Sequence, residues 1–161
     1  MGLGKLNIET VLAIREGEII MENIMVVPID DSTFSHDALR FALTLAKDTK
    51  SKIIILNVQP NMQTANVQRF FNKDEITAYA HELGKEVLDK TEDITKDTSV
   101  PIEKVIRIGS PKQEICDLAR EQNARCIVMG SRGRGFIKGA VLGSVSYGVL
   151  QVAPCPVTIV P

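Results

Sequence analysis

The sequence predicts an α/β domain built on a doubly wound, five-stranded parallel sheet in the strand order 3-2-1-4-5, with helices on both faces in a three-layer α/β/α arrangement. Continuous apolar runs of strand length recur along the chain, which is typical of parallel strands buried on both faces. The segments between those runs carry apolar residues at helical spacing. Five strands that alternate with four helices are the pattern of this fold class.

Length and composition indicate one ordinary globular domain. The chain has 161 residues, of which 44% are hydrophobic and 24% charged, and that balance is typical of a soluble protein. A net charge of −1 gives no electrostatic argument for a nucleic-acid partner. No apolar run reaches the roughly 18 residues of a membrane helix, and the start lacks the pattern of a secretion signal. We therefore expect a cytoplasmic protein with no membrane and no nucleic-acid partner.

The cysteines support the same location. Cys116, Cys126 and Cys155 are odd in number, lack metal-type spacing and lie in or beside apolar segments. Such cysteines are expected to be buried, reduced thiols of a cytoplasmic protein.

Residues 1–20 precede the regular pattern and are the least informative part of the chain. Their apolar residues alternate only weakly, and a second methionine, Met21, follows them. We interpret residues 1–20 as an N-terminal extension, either foreign to the domain or a small added hairpin, and favour a dispensable tail. Residues 21–161 form the predicted domain.

The first strand is predicted at residues 23–29, where an apolar run ends at Asp30. Ser32 or Thr33 can then cap a helix over residues 34–49, which carries one apolar stripe. A second strand is predicted at 52–58, followed by an irregular mobile loop at 61–72 and a long helix at 73–95. An edge strand at 102–108 comes next, and then a helix capped by Ser110 with Pro111 in its first turn. The last elements are a fourth strand at 125–129, a helix at 144–152 and a final strand at 156–160.

A ligand site is predicted beyond the carboxyl ends of the strands, because doubly wound sheets bind ligands where the strand order reverses. In the order 3-2-1-4-5 that point lies between strands one and four, flanked by Asp30 and Gly130. Residues 130–146 read GSRGRGFIKGAVLGSVS. Glycines let a ligand approach the backbone closely, and a helix that starts near Ser144 directs unpaired N–H groups at an anion.

Cations and hydroxyl groups accompany the glycines in this stretch. Arg132, Arg134 and Lys138 supply positive charge, and Ser144 and Ser146 supply hydroxyl donors at the helix start. Backbone amides, hydroxyls and a nearby cation together suit a triphosphate. We therefore favour nucleotide binding over a surface loop whose glycines only confer flexibility.

The stretch matches neither of the two common phosphate motifs. It lacks GxxxxGK[ST], and its glycines miss GxGxxG by one residue and follow strand four instead of strand one. Lys138 precedes a glycine, so no lysine with a neighbouring metal-binding hydroxyl can be assigned. Asp30 is assigned to a nucleotide contact, and Asp31 is interpreted as a solvated or helix-capping acid. A divalent metal such as Mg or Mn beside the nucleotide is left open.

No catalytic residues are predicted. His36 and His81 fall in predicted helices without a marked serine or cysteine partner, so both are interpreted as ordinary surface histidines. The run Gln68-Arg69-Phe70-Phe71, followed by Lys73, fits an RNA-stacking patch and fits a loop that covers the pocket equally well.

Several separated segments resemble the universal stress protein family, in order and over essentially all of residues 21–161. The matching segments are Val27-Pro28-Ile29-Asp30-x-Ser32 after strand one, Asn57-Val58 at the end of strand two, Gly109-Ser110-Pro111 before helix three, and the closing Cys155-Pro156-Val157-Thr158-Ile159-Val160. Most specific is the pattern Gly130-x2-Gly133-x9-Gly143-Ser144, which in that family separates members that bind ATP from those that do not.

The resemblance implies an ATP site and a dimer edge. In ATP-binding relatives the adenine rests by the first two strands, and the ribose and phosphates meet the glycine loop and the helix after it. The residues implied for ATP binding here are Pro28, Asp30, Val58, Met129, Gly130, Arg132, Gly133, Gly143, Ser144, Val145 and Ser146. Relatives commonly pair through the last strand, which implies a homodimer through Val157 to Val160 and is consistent with an apolar edge that needs covering.

We expect an ATP-binding, homodimeric stress-response protein that acts as a nucleotide-dependent regulator or sensor, with an unidentified protein partner. Two alternatives stay open. One is a slow ATP hydrolase, for which only Asp30 or Ser144 could orient water. The other is a nucleotide-free dimerisation module of the same fold. The resemblance does not imply a turnover reaction.

Overall fold

The computed structural model describes residues 23–135 and 141–161, together with the backbone of Ala13–Arg15 and Glu18–Ile20. The main sheet contains the strands β1 (Ile24–Pro28), β2 (Lys52–Gln59), β3 (Ile102–Ile108), β4 (Cys126–Gly130) and β5 (Val157–Val160). Their order is β3-β2-β1-β4-β5, and all neighbours are parallel. The predicted fold class and strand order are confirmed.

Helices connect the strands across both faces of the sheet. They are α1 (Thr33–Thr49), α2 (Lys73–Asp89), α3 (Pro111–Glu121) and α4 (Ser144–Val152). Ser32, and not Thr33, caps α1, because the Ser35 N–H donates to the Ser32 hydroxyl oxygen at 3.2 Å. Pro111 occupies the start of α3 as predicted, but the Ser110 side chain makes no capping hydrogen bond.

The single long helix predicted at residues 73–95 is wrong, because α2 ends at Asp89 and a separate one-turn helix follows at Glu92–Thr95. Thr91 causes the break. Its backbone N–H and its hydroxyl both donate to the Leu88 carbonyl, at 3.1 and 2.6 Å. Such a three-residue spacing tightens the last turn and diverts the chain from the α-helical path. The loop predicted at 61–72 contains one short 3₁₀ turn, Val67–Arg69.

Alternate strand residues enter two separate cores, one on each face of the sheet. Helices α1 and α2 cover the face that contains Met25, Val27, Ile53 and Ile55. Helices α3 and α4 cover the opposite face, which contains Val26, Ile54, Leu56 and Ile127. Consecutive strand residues point to opposite faces, and full burial of each such side chain contributes about 1.5–3 kcal/mol. The continuous apolar runs therefore hold three layers together.

The cysteines lie in or beside these cores as free thiols. Cys116 and Cys126 are buried and Cys155 is half-buried. Burial raises the pKa of all three thiols, so little of the reactive thiolate forms near neutral pH.

The backbone before residue 21 contains a short hairpin, in which Ala13–Arg15 pairs antiparallel with Glu18–Ile20. The interpretation of residues 1–20 as an N-terminal extension stays a prediction. Within the residues that the structure describes, no helix is long and apolar enough to cross a membrane.

Candidate functional site

A cavity of about 430 Å³ opens at the carboxyl edge of the sheet, where β1, β2 and β4 end. Every residue that we assigned to nucleotide binding lies on its wall: Pro28, Asp30, Val58, Met129, Gly130, Arg132, Gly133, Gly143, Ser144, Val145 and Ser146. The fold thus brings together residues that are more than 100 positions apart. Their contact with a nucleotide stays a prediction, and Lys138 lies outside the described residues.

The Asp30 carboxylate ties the end of β1 to the glycine loop. Its Oδ1 accepts hydrogen bonds from the N–H and hydroxyl of Ser32, at 3.1 and 2.5 Å. Its Oδ2 accepts a hydrogen bond from the Arg134 backbone N–H at 2.9 Å. Asp30 therefore anchors the loop as well as lining the cavity.

Gly133 makes this anchor sterically feasible. A Cβ at position 133 would overlap the Asp30 Oδ2 atom, so any larger residue would push the loop away from the carboxylate. Gly143 packs closely as well, since a Cβ there would lie 3.3 Å from the Arg132 Cα. The two glycines are thus explained by contacts inside the protein, before any ligand is considered.

Helix α4 begins beside the cavity without a side-chain cap. Its N-cap residue is Gly143, which has no side chain to bond the first-turn N–H groups. The Ser144 side chain is exposed on that turn. Uncapped N–H groups and the helix dipole together attract anions. The start of α4 therefore offers the chemistry that a phosphate group requires.

Ser146 does not present its hydroxyl proton to the cavity. The side chain is 3% exposed, and its Oγ donates to the carbonyls of Gly130 and Ser131, at 3.0 and 3.1 Å. The expectation of a free hydroxyl donor at this position is wrong. The hydroxyl instead joins the start of α4 to the end of β4.

Asp31 is not a solvated or capping acid, contrary to our interpretation. Its Oδ2 accepts from Lys90 Nζ at 2.5 Å and from the Arg134 guanidinium at 2.6 Å. Its Oδ1 lies 3.7 Å from the Nε2 of His36. Burial raises the pKa of Asp31, but the hydrogen bonds and charges of Lys90 and Arg134 outweigh burial and hold the pKa below its usual value. Asp31 thus joins the glycine loop to the end of α2.

His36 is not an ordinary surface histidine, contrary to our prediction, because it packs beside Asp31. Its side chain is 21% exposed and faces Asp31, and its Nε2 is buried without a hydrogen-bond partner among the described residues. His81 is exposed, as expected of a surface histidine.

The hydrogen-bond ladder between β1 and β2 stops just before Val58. The Ile29 N–H donates to the Leu56 carbonyl at 2.8 Å, and the next parallel step would join the Val58 N–H to the Ile29 carbonyl. That carbonyl instead accepts from the Asn57 side-chain Nδ2 at 2.8 Å. Asp31, with a φ of 67°, then turns the chain away. Among the described residues, the Val58 N–H and C=O on this edge have no hydrogen-bond partner.

Comparison with known proteins places the chain among relatives along almost its full length. Residues 21–161 match the profile of the Universal stress protein family. The chain belongs to the universal stress protein family. It is 34% identical over 149 residues to the universal stress protein YxiE of Bacillus subtilis (strain 168). The alignment covers 87% of this chain and 99% of that protein. The resemblance predicted from the separated motifs is confirmed.

Solved structures of universal stress proteins share this fold. One universal stress protein, solved in complex with cAMP, is 25% identical to this chain and superposes with a TM-score of 0.67. The match covers 86% of this chain and 97% of that protein. Another, from Archaeoglobus fulgidus in complex with dAMP, has a TM-score of 0.60 and 24% identity and covers 87% and 98% of the two chains. Each ligand is a property of that protein.

Sequence reasoning assigned no role to Asn57, although the sequence carries a signal for one. Asn57 is the polar residue in the apolar stretch 53–58 of β2. The partners of Asp31 gave no local signal, because Lys90 is 59 residues away and Arg134 is 103 residues away. Over residues 23–135 and 141–161, no group of three or more His, Cys, Asp or Glu side chains is arranged to hold a metal ion.

Proposed function

We propose that this universal stress protein binds ATP in the crevice between β1 and β4 and acts in the cytoplasm as a homodimeric, nucleotide-dependent regulator or sensor. The observation that carries the proposal is a single cavity that joins the open backbone edge of Val58 to the uncapped start of α4. The first feature suits a base and the second suits a phosphate. The two ends of a nucleotide therefore meet complementary chemistry in one site.

The Val58 end of the cavity fits adenine. The Watson–Crick edge of adenine presents an amino donor beside a ring-nitrogen acceptor, and a peptide C=O and N–H supply the matching acceptor and donor. Pro28, Ile115 and Met129 line the same cavity with apolar surface, which favours a flat base. The relative that was solved with cAMP carries an adenine nucleotide on the same fold.

The α4 end of the cavity fits the phosphates. The N-terminus of a helix carries the equivalent of roughly half a positive charge, and its free N–H groups are ready-made anion ligands. Arg132 and Arg134 line the same cavity. A polyanion there would gain charge-assisted hydrogen bonds, which are stronger than those between neutral groups.

Binding is proposed in preference to hydrolysis. A hydrolase needs a group that orients or deprotonates water, and only Asp30 and Ser144 were candidates for orienting it. Both oxygens of that carboxylate already accept hydrogen bonds, from Ser32 and from the Arg134 N–H. Neither oxygen is therefore free to position a water molecule for attack. The site is therefore better suited to hold ATP than to cleave it.

The dimer is proposed to form through the outer edge of β5. On the β4 side, the Ser131 N–H donates to the Val160 carbonyl at 2.7 Å. Backbone groups alternate along a strand, so Val157 and Ile159 direct their N–H and C=O groups outward. All four residues of β5 are only half-buried, and an open apolar edge is a template for a second copy of the same strand.

Isothermal titration of the purified protein with ATP and Mg²⁺ tests the nucleotide proposal. We expect heat of binding with one nucleotide per chain, or nucleotide already bound and detected by mass spectrometry of the purified protein. A protein that gives no heat and retains no nucleotide would overturn the proposal. Phosphate release measured on the same sample separates binding from turnover, and we expect none above background.

A further inference from the structure

We propose that Asn57 is a positioning residue that keeps the backbone edge of Val58 open for the adenine base and so sets the base selectivity of the site. This inference rests on the proposed nucleotide function. Asn57 is the most buried polar residue at the base end of the cavity, with 3% of its surface exposed. The inference assigns its side chain a task in specificity, beyond its place in the core.

The direction of the Asn57 amide follows from its partners. The Ile29 carbonyl can only accept, so the Asn57 atom that faces it at 2.8 Å is the Nδ2 donor. The Oδ1 atom then faces Gln59, whose Nε2 donates to it at 2.7 Å. Because both ends of the amide are bonded and the residue is buried, rotation of the side chain would break two hydrogen bonds at once.

Asn57 occupies the acceptor that the ladder would otherwise use. Ile29 is 2% exposed, so its carbonyl needs a protein donor in place of water. In a regular parallel pair that donor would be the Val58 N–H. The Asn57 side chain supplies the donor instead, and the Val58 N–H is left available at the edge of the cavity. Strand pairing thus ends one step early, with the Ile29 carbonyl bonded to a side chain, at the point where a base can continue it.

The open edge discriminates between purines. Adenine places an amino donor and a ring acceptor against the C=O and N–H of Val58, whereas guanine places an oxygen acceptor and an N–H donor at the equivalent positions. Guanine in the same orientation would set acceptor against acceptor and donor against donor. A well-formed pair of this kind discriminates between bases by about tenfold or more. If the Val58 N–H bonded Ile29, only the Val58 C=O would be left to discriminate, and the base selectivity would weaken.

Asn57→Leu tests the assignment, because leucine keeps the branched shape but cannot donate to Ile29. We expect ATP affinity to fall by about tenfold or more and the ratio of ATP to GTP affinity to fall toward unity. Affinity for inorganic tripolyphosphate, which lacks a base, should stay within about twofold. Thr91→Val is the matched control, since Thr91 is also a buried hydrogen-bonding residue, at 0% exposure, and it does not line the cavity.

Hydrogen exchange of the wild-type protein tests the same inference without a variant that must fold. In the ¹⁵N-labelled, nucleotide-free protein the Val58 amide should exchange much faster than the ladder amide of Leu56, and saturating ATP should slow it. A Val58 amide already protected without ATP, or still exchanging freely in the ATP complex, overturns the role of Asn57. So does an unchanged ATP-to-GTP ratio in a folded Asn57→Leu protein. A wild type that binds no ATP overturns the proposed function itself.

Discussion

Asp30 and Asp31 are adjacent carboxylates that act on the same loop in different ways. Asp30 accepts the backbone N–H of Arg134 at 2.9 Å, and Asp31 accepts its guanidinium at 2.6 Å. The left-handed φ of 67° at Asp31 breaks the alternation of faces that a strand would impose. Both side chains can therefore reach one arginine, which two successive residues of a regular strand could not do.

Gly133→Ala should weaken ATP binding by about tenfold or more. The new Cβ would overlap the Asp30 Oδ2 atom, so the loop or the carboxylate would have to move and the hydrogen bond from the Arg134 N–H would lengthen or break. Titration calorimetry with ATP and Mg²⁺ measures the effect.

Gly135→Ala provides the matched control for that change. Among the residues that the structure describes, a Cβ at position 135 meets no heavy atom within 4 Å, so ATP affinity should stay within about twofold of the wild-type value. Equal losses in the two variants would show that loop flexibility matters and that the anchor on Asp30 does not.

Asp31→Asn should reduce the free energy of unfolding by about 1 kcal/mol near neutral pH, as expected for a partly solvated ion pair. The folded-state pKa of Asp31 lies below its ordinary value of 3.8. Its stabilisation is therefore fully present above that value and is lost as pH falls through the lower folded-state pKa. Urea unfolding of both proteins at about pH 7 and about pH 3 should show a larger difference at the higher pH.

Asp93→Asn is the control for the acid dependence. The Asp93 side chain is 92% exposed and pairs with Lys96 at 3.5 Å, and such surface pairs contribute little. Its replacement should leave the unfolding free energy unchanged at both pH values. A loss in Asp31→Asn that persists undiminished in acid would contradict the ion-pair explanation.

At the scale of whole elements, the site depends on how two of them end or begin. Strand β2 runs on past the end of its pairing with β1, because β1 ends at Pro28 and the Asn57 side chain takes the next carbonyl. Helix α4 starts at a glycine that cannot cap it. Each element thereby leaves backbone groups unpaired at the same crevice. Regular strand pairing and a side-chain cap would have paired these backbone groups inside the protein and left none for a ligand.

Ile159→Pro should convert the proposed dimer into a monomer. Proline removes the outward N–H of residue 159 but fits the extended backbone of an edge strand, so the ladder to β4 is preserved. Analytical ultracentrifugation across a concentration series measures the dissociation constant.

Ile159→Ala separates the lost N–H from the lost side chain. Alanine also removes the packing of Ile159 against the core but retains the outward donor, so the protein should be less stable and still dimeric. A dimer that survives the proline substitution would place the interface elsewhere.

For the molecule as a whole, the sheet was predictable because its determinants are local. The apolar run at residues 52–58 and the apolar stripe on α1 are both visible within a short stretch of sequence, and each predicts which residues are buried. The break at Thr91 was missed because the apolar stripe continues through it, while a single threonine hydroxyl bonds backward to Leu88.

The site was predictable in its location but not in its internal bonding. The strand order placed the crevice between β1 and β4, and the glycine pattern supplied one wall. The commitment of the Ser146 hydroxyl to Gly130 and Ser131 could not be foreseen, because it depends on where α4 packs against the end of β4. The same holds for the ion pairs of Asp31, whose partners come from two distant segments.

A crystal structure of the protein grown with saturating ATP and Mg²⁺ tests the central claim most directly. We predict a nucleotide in the crevice between β1 and β4, with its base hydrogen-bonded to the Val58 backbone and its phosphates at the start of α4. An empty crevice at saturating ATP, or a nucleotide bound elsewhere on the chain, would contradict the claim.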